Sequence, residues 1–228
     1  TSNISLKSFI NNQFSIDDLR ISTKEIKIKD LISLTRAVKG SPQLFVLDSI
    51  TKAGSISANI NLMFDLDGEI KKNYQINGTV KKGKFNIFNQ VKIDNLNLSF
   101  NISKNQLTLS KIETDLNSIK LKSPLIKIEE KKNIFFIDGK VINDQQNFDI
   151  NKLKPILGDL LSAVEIEKIN FNSINTFSFN LNKNLKLNDL KLETNINLGN
   201  FEIVKNPLNL EVFLPNYTEQ VKFKDHKI

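Results

Sequence analysis

Few side chains in this sequence are spaced for chemistry, and the best candidates are acidic. Asp65-Leu66-Asp67 has the Asp-x-Asp form with which some sugar transferases hold a divalent cation. The same stretch runs into Asp67-Gly68, a pair suited to a tight turn, and turn chemistry accounts for both carboxylates without a metal. An EF-hand loop fails here, because Met63 and Gly68 leave too few oxygen ligands at the required spacing. Glu129-Glu130 and Asp17-Asp18 are adjacent, so in strands the two carboxylates of each pair face opposite ways and cannot share a proton. His226 is the single histidine and cysteine is absent, which excludes Ser-His-Asp, Cys-His and thiolate-zinc constellations within these 228 residues. No Gly-x-x-x-x-Gly-Lys or Gly-x-Gly-x-x-Gly occurs. The expectation is a protein that is not an enzyme, with no catalytic residue, no metal and no cofactor.

The charge has a compositional origin. The net charge is +7, yet the only arginines are Arg20 and Arg36. Lysine, asparagine and isoleucine dominate, as in proteins from AT-rich genomes. Arginine is the usual bidentate reader of bases and phosphates, so its scarcity argues against a nucleic-acid partner. Lys71-Lys72, Lys81-Lys82 with Lys84, and Lys131-Lys132 fall at predicted turns, where solvated lysines protect strand edges. The sharper alternative is a basic rim for anionic lipid headgroups.

The elements that would position any site are mostly strands. In GSISANINLMFDLDG (54–68), Ile56, Ala58, Ile60, Leu62, Phe64 and Leu66 share one face, backed by serine, asparagine and aspartate. Tyr74, Ile76, Gly78 and Val80 alternate next, with a turn predicted at Lys82-Gly83, then Phe85 and Ile87, then Val91 and Ile93. The apolar phase then slips: Leu96, Leu98, Phe100 and Ile102 continue on the other parity. The slip demands a hairpin or a bulge at Asp94-Asn95, since one extra residue turns every later side chain over. Leu107 and Leu109, Ile119 and Leu121, and Ile126 and Ile128 carry the meander on. Ile134 to Ile137 is apolar on both parities, which predicts cover on both faces.

Two segments break the pattern. Asp30 is placed to cap a helix with Leu31, Leu34 and Val38 on one face, ended by Gly40. Ser41-Pro42 restarts a helix, with Leu44, Leu47 and Ile50 inward and Gly54 as its stop. The second segment, 151–164, carries Leu153, Ile156, Leu157, Leu160, Leu161 and Val164 at helical spacing. INGTVKKGKFNI (76–87) and LETNINLGNFEI (192–203) share an alternation, a glycine and then Phe-x-Ile. They suggest a helix-plus-meander unit occurring twice, over 1–148 and 149–228, with one continuous sheet also compatible. The start at Thr-Ser-Asn suggests a segment of a longer protein, and no run approaches the ~18 apolar residues of a membrane span.

The order of these elements resembles the AsmA-like proteins of Gram-negative bacteria, in particular the large YhdP-type branch related to TamB. The resemblance is carried by the rhythm "strand, Gly-x-Val, strand, then x-Val-x-Ile-x-Asn-Leu", matched by Ile76-Asn77-Gly78-Thr79-Val80 and by Val91 to Leu98. It implies a periplasmic protein anchored to the inner membrane outside this segment. It implies a mainly β fold: a long antiparallel meander forming a curved, open, taco-like sheet with two short helical inserts. Its function would be to carry phospholipid acyl chains between the inner and outer membranes along an apolar groove, supporting outer-membrane biogenesis. The expected lining is Ile56, Ala58, Ile60, Leu62, Phe64, Leu66, Leu96, Leu98 and Phe100. The alternative is a structural or adhesin-type β-rich interaction domain whose apolar faces close into a dry core. Half-buried strands alternate identically in the two cases.

Overall fold

The computed structural model of the protein describes residues 2–10, 13–38, 41–65, 69–71, 73–87, 91–149, 165–182, 184, 186–205, 221–223 and 226–227. The order along the chain is β1 (Ser2–Ile10), β2 (Gln13–Ser22), β3 (Ile26–Lys27), α1 (Ile28–Val38), α2 (Pro42–Ile50), β4 (Thr51–Met63), β5 (Gln75–Ile87) and β6 (Val91–Ser103). There follow β7 (Gln106–Leu116), β8 (Ile119–Lys131), β9 (Ile134–Asp149), β10 (Glu165–Asn182), β11 (Leu187–Lys205), β12 (Val221–Phe223) and β13 (His226–Lys227).

All thirteen strands among the described residues belong to one sheet, ordered β1-β2-β4-β5-β6-β7-β8-β9-β10-β11-β12, with β3 beside β4 and β13 beside β11. Every pairing is antiparallel, so the expected mainly β, open meander is the observed architecture, and the two short helices among the described residues both belong to the first of the two expected helical inserts. Strands from both sides of the expected boundary near residue 148 lie in this sheet, β9 and β10 pairing from Lys168↔Asp149 to Asn182↔Ile134. The helix expected at 151–164 lies outside the described residues.

Tight turns join the central strands. Asn117-Ser118 and Lys132-Asn133 are two-residue connections in which both residues take positive φ, the geometry that matches strand twist. The Lys131-Lys132 cluster thus sits at a turn, as expected. Lys82-Gly83 does not: β5 runs unbroken from Gln75 to Ile87, and Lys82, at φ 49°, is a bulge within it.

That bulge is one of a row. Gly54 in β4 (φ 123°), Lys82 in β5, Asn95 in β6 (φ 54°) and Lys111 in β7 (φ 51°) have left-handed backbones in adjacent strands. Register breaks flank each of the β4–β5, β5–β6 and β6–β7 crossings, then close again. Ile56 faces Val80 on one side and Thr51 faces Phe85 on the other, the two strands having advanced equally. Between β7 and β8 the step is taken jointly, with Ser110↔Leu125 before it and Ile112↔Ser123 after it. Pro124, which has no N–H to leave unpaired, fills the gap. The phase slip expected at Asp94-Asn95 is therefore a bulge, and it belongs to a seam that crosses β4 to β8. Each extra residue turns its strand over, so odd-numbered apolar residues on one side of the seam and even-numbered ones on the other face the same way.

The helices dock on one side of this seam, and they differ from expectation in detail. α1 begins at Ile28, directly after β3, leaving Asp30 in the first turn rather than at the cap. Ile28 and Ile32 are its buried residues, while Leu34 is exposed. The early start moves the inward stripe back along the chain. Ser41 caps α2 as expected, accepting from the Leu44 N–H at 3.4 Å, with Pro42 in the first turn. α2 stops at Ile50, because Thr51 is already extended and opens β4; Gly54 lies beyond, in the seam. No helix among the described residues is long and apolar enough to cross a membrane.

Gly54 is the tightest point of the seam. A Cβ there would lie 2.8 Å from the Gly83 Cα and 2.8 Å from Ile28 Cδ1, at a φ that L-residues avoid. Gly54→Ala is expected to cost about 1–3 kcal/mol, measurable by urea unfolding. An unchanged midpoint would mean that the seam is soft at this position.

Candidate functional site: an uncovered apolar face

The register places most of the expected lining residues on one surface. Ile56 faces Val80, and Val80 faces Leu98. Ala58, Gly78 and Phe100 form the next row, continued by Leu109, Ile126, Gly139, Phe177 and Leu192. The row after it is unbroken and aliphatic until its last member: Ile21, Ile60, Ile76, Ile102, Leu107, Ile128, Ile137 and Phe179. Leu62 pairs with Leu19, and Phe64 bridges to Ile70. Leu96 stands at the seam opposite Gly83. Leu66 lies outside the described residues. The sites expected from sequence covered only β4 and β6. Their continuation through β7 to β11 was visible as alternation, but only the register shows that it joins into common rows.

This surface is half-buried throughout rather than sealed. The buried apolar residues among those described are Ile28, Ile32, Ile112 and Ile119, and all four lie on the helix side of the seam. On the other side the row residues keep intermediate exposure, apart from the exposed Leu192 at the β11 edge, and no second layer of described strands or helices packs over them. Ile134-Phe135-Phe136-Ile137 follows the same logic. Phe135 and Ile137 point to the apolar surface, while Ile134 and Phe136 are exposed at the back, where Lys131 Nζ stands 5.8 Å from the Phe136 ring. The expected cover on both faces is absent among the described residues. The apolar face comes first in satisfying this run, and Phe136 makes do with a cation.

Two glycines shape the second row. A Cβ on Gly78 would fall 2.1 Å from the Ser57 carbonyl oxygen and 2.6 Å from Phe100 Cζ. One on Gly139 would fall 2.8 Å from Phe177 Cζ and 2.9 Å from Ile126 Cγ1. In each case the phenylalanine directly opposite leans over the bare backbone, the arrangement by which aromatic rings shield strand glycines. Phe177 also stacks on Phe179, ring centres 6.0 Å apart. A shallow hollow of about 590 Å³ beside Gly139 opens on the opposite surface, since its lining includes Leu125, Asp138, Lys140, Thr176, Ser178, Lys191 and Glu193, which alternate with the row residues.

The reverse surface is polar across β4 to β7, exposes Leu125, Ile134, Phe136 and Ile174 on β8 to β10, and changes character at the seam. Away from the helices it is uncharged across β4 to β7: Ser57 faces Thr79, Thr79 faces Ser99 and Ser99 faces Ser110, with the Ser57 and Thr79 hydroxyls 3.0 Å apart. On the helix side it carries two ion pairs and an amide-to-carboxylate hydrogen bond among the described residues. Lys84 Nζ lies 3.0 Å from Asp94 Oδ1, Asn95 Nδ2 donates to Asp115 Oδ2 at 2.6 Å, and Lys122 Nζ lies 2.5 Å from Asp144 Oδ2. Asp144 holds the Lys122 ammonium above the usual lysine range by hydrogen bond and charge. Lys81 does the reverse to Glu25, whose carboxyl is held below its ordinary range. These pairs are exposed and contribute little to stability.

Asp65 takes part in the turn after β4. Asp65 accepts the Glu69 N–H at 2.8 Å and donates its own N–H to the Glu69 carbonyl at 2.9 Å, closing the hairpin after β4. Its Asp-x-Asp partner, Asp67, lies outside the described residues. No cluster of three or more metal-ligating side chains occurs among the described residues. Compared with family models, curated proteins and solved structures, the chain matches none.

Gly78 and Gly139 differ in what a methyl group would strike, backbone in one case and the movable tip of a ring in the other. Gly78→Ala is therefore expected to cost about 1–3 kcal/mol as overpacking and Gly139→Ala clearly less. Thermal unfolding of the two variants checks this, and equal losses would contradict the packing described.

Proposed function

We propose that this chain is a lipid-carrying segment of the AsmA-like, YhdP-type kind, holding phospholipid acyl chains against its apolar sheet face. The observation that carries the reading is the row from Ile21 to Phe179, eight strands of uninterrupted apolar side chains with no layer over them among the described residues. At about 4.8 Å per strand, such a row extends for roughly 34 Å. It runs in the direction in which strands are added, so a groove of this kind lengthens by repetition. The chemistry required of it is small. Exposing an acyl chain to water costs about 0.8 kcal/mol per CH₂, so a phospholipid with two chains of ~16 carbons meets a barrier on the order of 25 kcal/mol in leaving a bilayer. A continuous apolar strip lowers that barrier with no reactive group, which agrees with rows made of Ile, Leu, Val, Phe, Ala and Gly. Placement in the periplasm, with an inner-membrane anchor outside this segment, belongs to the same proposal.

A second reading, a structural or adhesin-type domain, is favoured by the outer edge of β11. Its residues 187–196 pair with no further strand among those described, and Leu190 and Leu192 are exposed there. An extended partner segment adding to that edge would find free backbone groups.

Native mass spectrometry of the purified chain, with extraction of bound lipid, separates the two. Phospholipid is expected near one or more per chain, and Leu62→Asp and Phe64→Asp are expected to reduce loading while the fold persists, because both side chains are only half-buried. Ile119→Asp, at a residue 4% exposed, is the unfolding control. A lipid-free folded protein, or Leu62 and Phe64 variants that unfold like Ile119→Asp, would overturn the groove.

A further inference from the structure

The two-helix hairpin presents to water the kind of surface that the sheet shields. Leu34 is 67% exposed, Phe45 57% and Val46 53%, and Leu47 is exposed as well. At 100° per residue the consecutive apolar residues Leu44 to Leu47 cover most of the circumference of α2, so no single contact with the sheet can bury them all. A helix apolar on this many sides is ordinarily enclosed.

Its backbone is already closed against desolvation. At the start of α2, Ser41 Oγ accepts from the Leu44 N–H, and Pro42 brings no N–H to satisfy. At its end the carbonyls are taken by side chains: Val46 O by Ser49 Oγ at 2.8 Å, Leu47 O by Thr51 Oγ1 at 2.6 Å and Ser49 O by Lys52 Nζ at 2.9 Å. In α1, Thr35 Oγ1 donates to Leu31 O at 2.8 Å. The charge nearest the patch is neutralised in place. Asp48 Oδ2 receives Arg36 Nη1 at 2.6 Å, and the same guanidinium lies 4.0 Å over the Phe45 ring. Helix ends that leave water need their polar groups satisfied internally, and Leu44 N, Leu47 O and Ser49 O of α2 are.

We propose that the α1–α2 hairpin inserts Phe45, Val46 and Leu34 into the interfacial layer of an anionic bilayer. The flanking chain supplies the complementary charge: Lys24, Lys27, Lys29 and Lys52 are exposed and outnumber the exposed Asp30, while Asp48 is bound to Arg36 and Glu25 to Lys81. Interfacial helices combine an apolar insertion with lysines at headgroup depth in this way. The inference is independent of what the sheet face carries.

The test is flotation of the 228-residue chain with vesicles of phosphatidylglycerol and phosphatidylcholine, and with phosphatidylcholine alone. Binding is expected to the anionic vesicles and to weaken with salt. Phe45→Asp combined with Val46→Asp is expected to lower partitioning about tenfold or more, without moving the melting temperature, because both side chains are exposed. Since the chain has no tryptophan, Phe45→Trp gives a single reporter whose emission should shift to the blue on adding anionic vesicles. Absence of binding, binding that ignores the Phe45 and Val46 changes, or an unshifted Phe45→Trp emission would overturn the proposal. So would a dimer that dissociates in the Phe45 and Val46 variant without any vesicle binding, which would assign the patch to a second copy. Lipid extraction reads the sheet face separately, so either result there leaves this test intact.

Discussion

A strand has two faces and a single extra residue exchanges them, and this constraint governs the whole sheet. A long meander can keep one face apolar only if every bulge is answered by its neighbours. Gly54, Lys82, Asn95 and Lys111 answer one another across β4 to β7, and β8 joins them through Pro124. Without the extra residue at Asn95, Val91 and Ile93 would face the polar side while Leu96 to Ile102 faced the apolar one, and with it alone, Phe85 and Ile87 of β5 would be the ones misdirected. Instead the register on either side of the seam is the same, and the strands bend together. Bulges sharpen local twist and bend, so the seam also marks where the sheet turns toward its helices.

The seam divides the protein into unequal parts. On the helix side lie the buried apolar residues, the fully buried Thr51 and the ion-paired reverse face. On the other side lies a broad half-buried surface, backed by Ser, Thr and Asn. A protein of this size ordinarily hides its apolar strand faces against a second layer. Here the described residues provide anchorage at one end and leave the rest open. The energetic consequence is plain: apolar area that is not removed from water on folding remains available to be removed on binding.

Much of the architecture was legible in the sequence because alternation is a direct image of the pleat. The strands, the Ser41-Pro42 helix start and the phase slip at Asp94-Asn95 could all be read from residue types. What could not be read is which element a punctuation mark belongs to. Lys82-Gly83 looks like a turn, since lysine and glycine serve turns and bulges alike, and only pairing with Leu96 on the next strand decides between them. Gly54 looked like a helix stop for the same reason, although Thr51 had already ended α2 and Gly54 is needed for its left-handed backbone against Gly83. The inward stripe of α1 was misplaced because its first turn, Ile28, follows β3 without a loop. Of the lining, β4 and β6 were legible; the rows that extend it to β11 depend on register, which a single strand's sequence does not contain. The similarity between 76–87 and 192–203 has one structural echo, since Gly83 and Gly199 each fall at a register break.

The central claim is that acyl chains lie on one face of this sheet and follow that face across the seam. Photo-crosslinking with a benzophenone side chain placed in turn at Val91, Lys92, Ile93, Leu98, Ser99, Phe100 and Asn101, in chain carrying its bound lipid, tests it most directly. The account predicts lipid adducts at Leu98 and Phe100 but not at Ser99 or Asn101. Beyond Asn95 any adducts should switch parity, appearing at Val91 and Ile93 and not at Lys92. Adducts of equal yield on both parities, or none at Leu98 and Phe100, would contradict it.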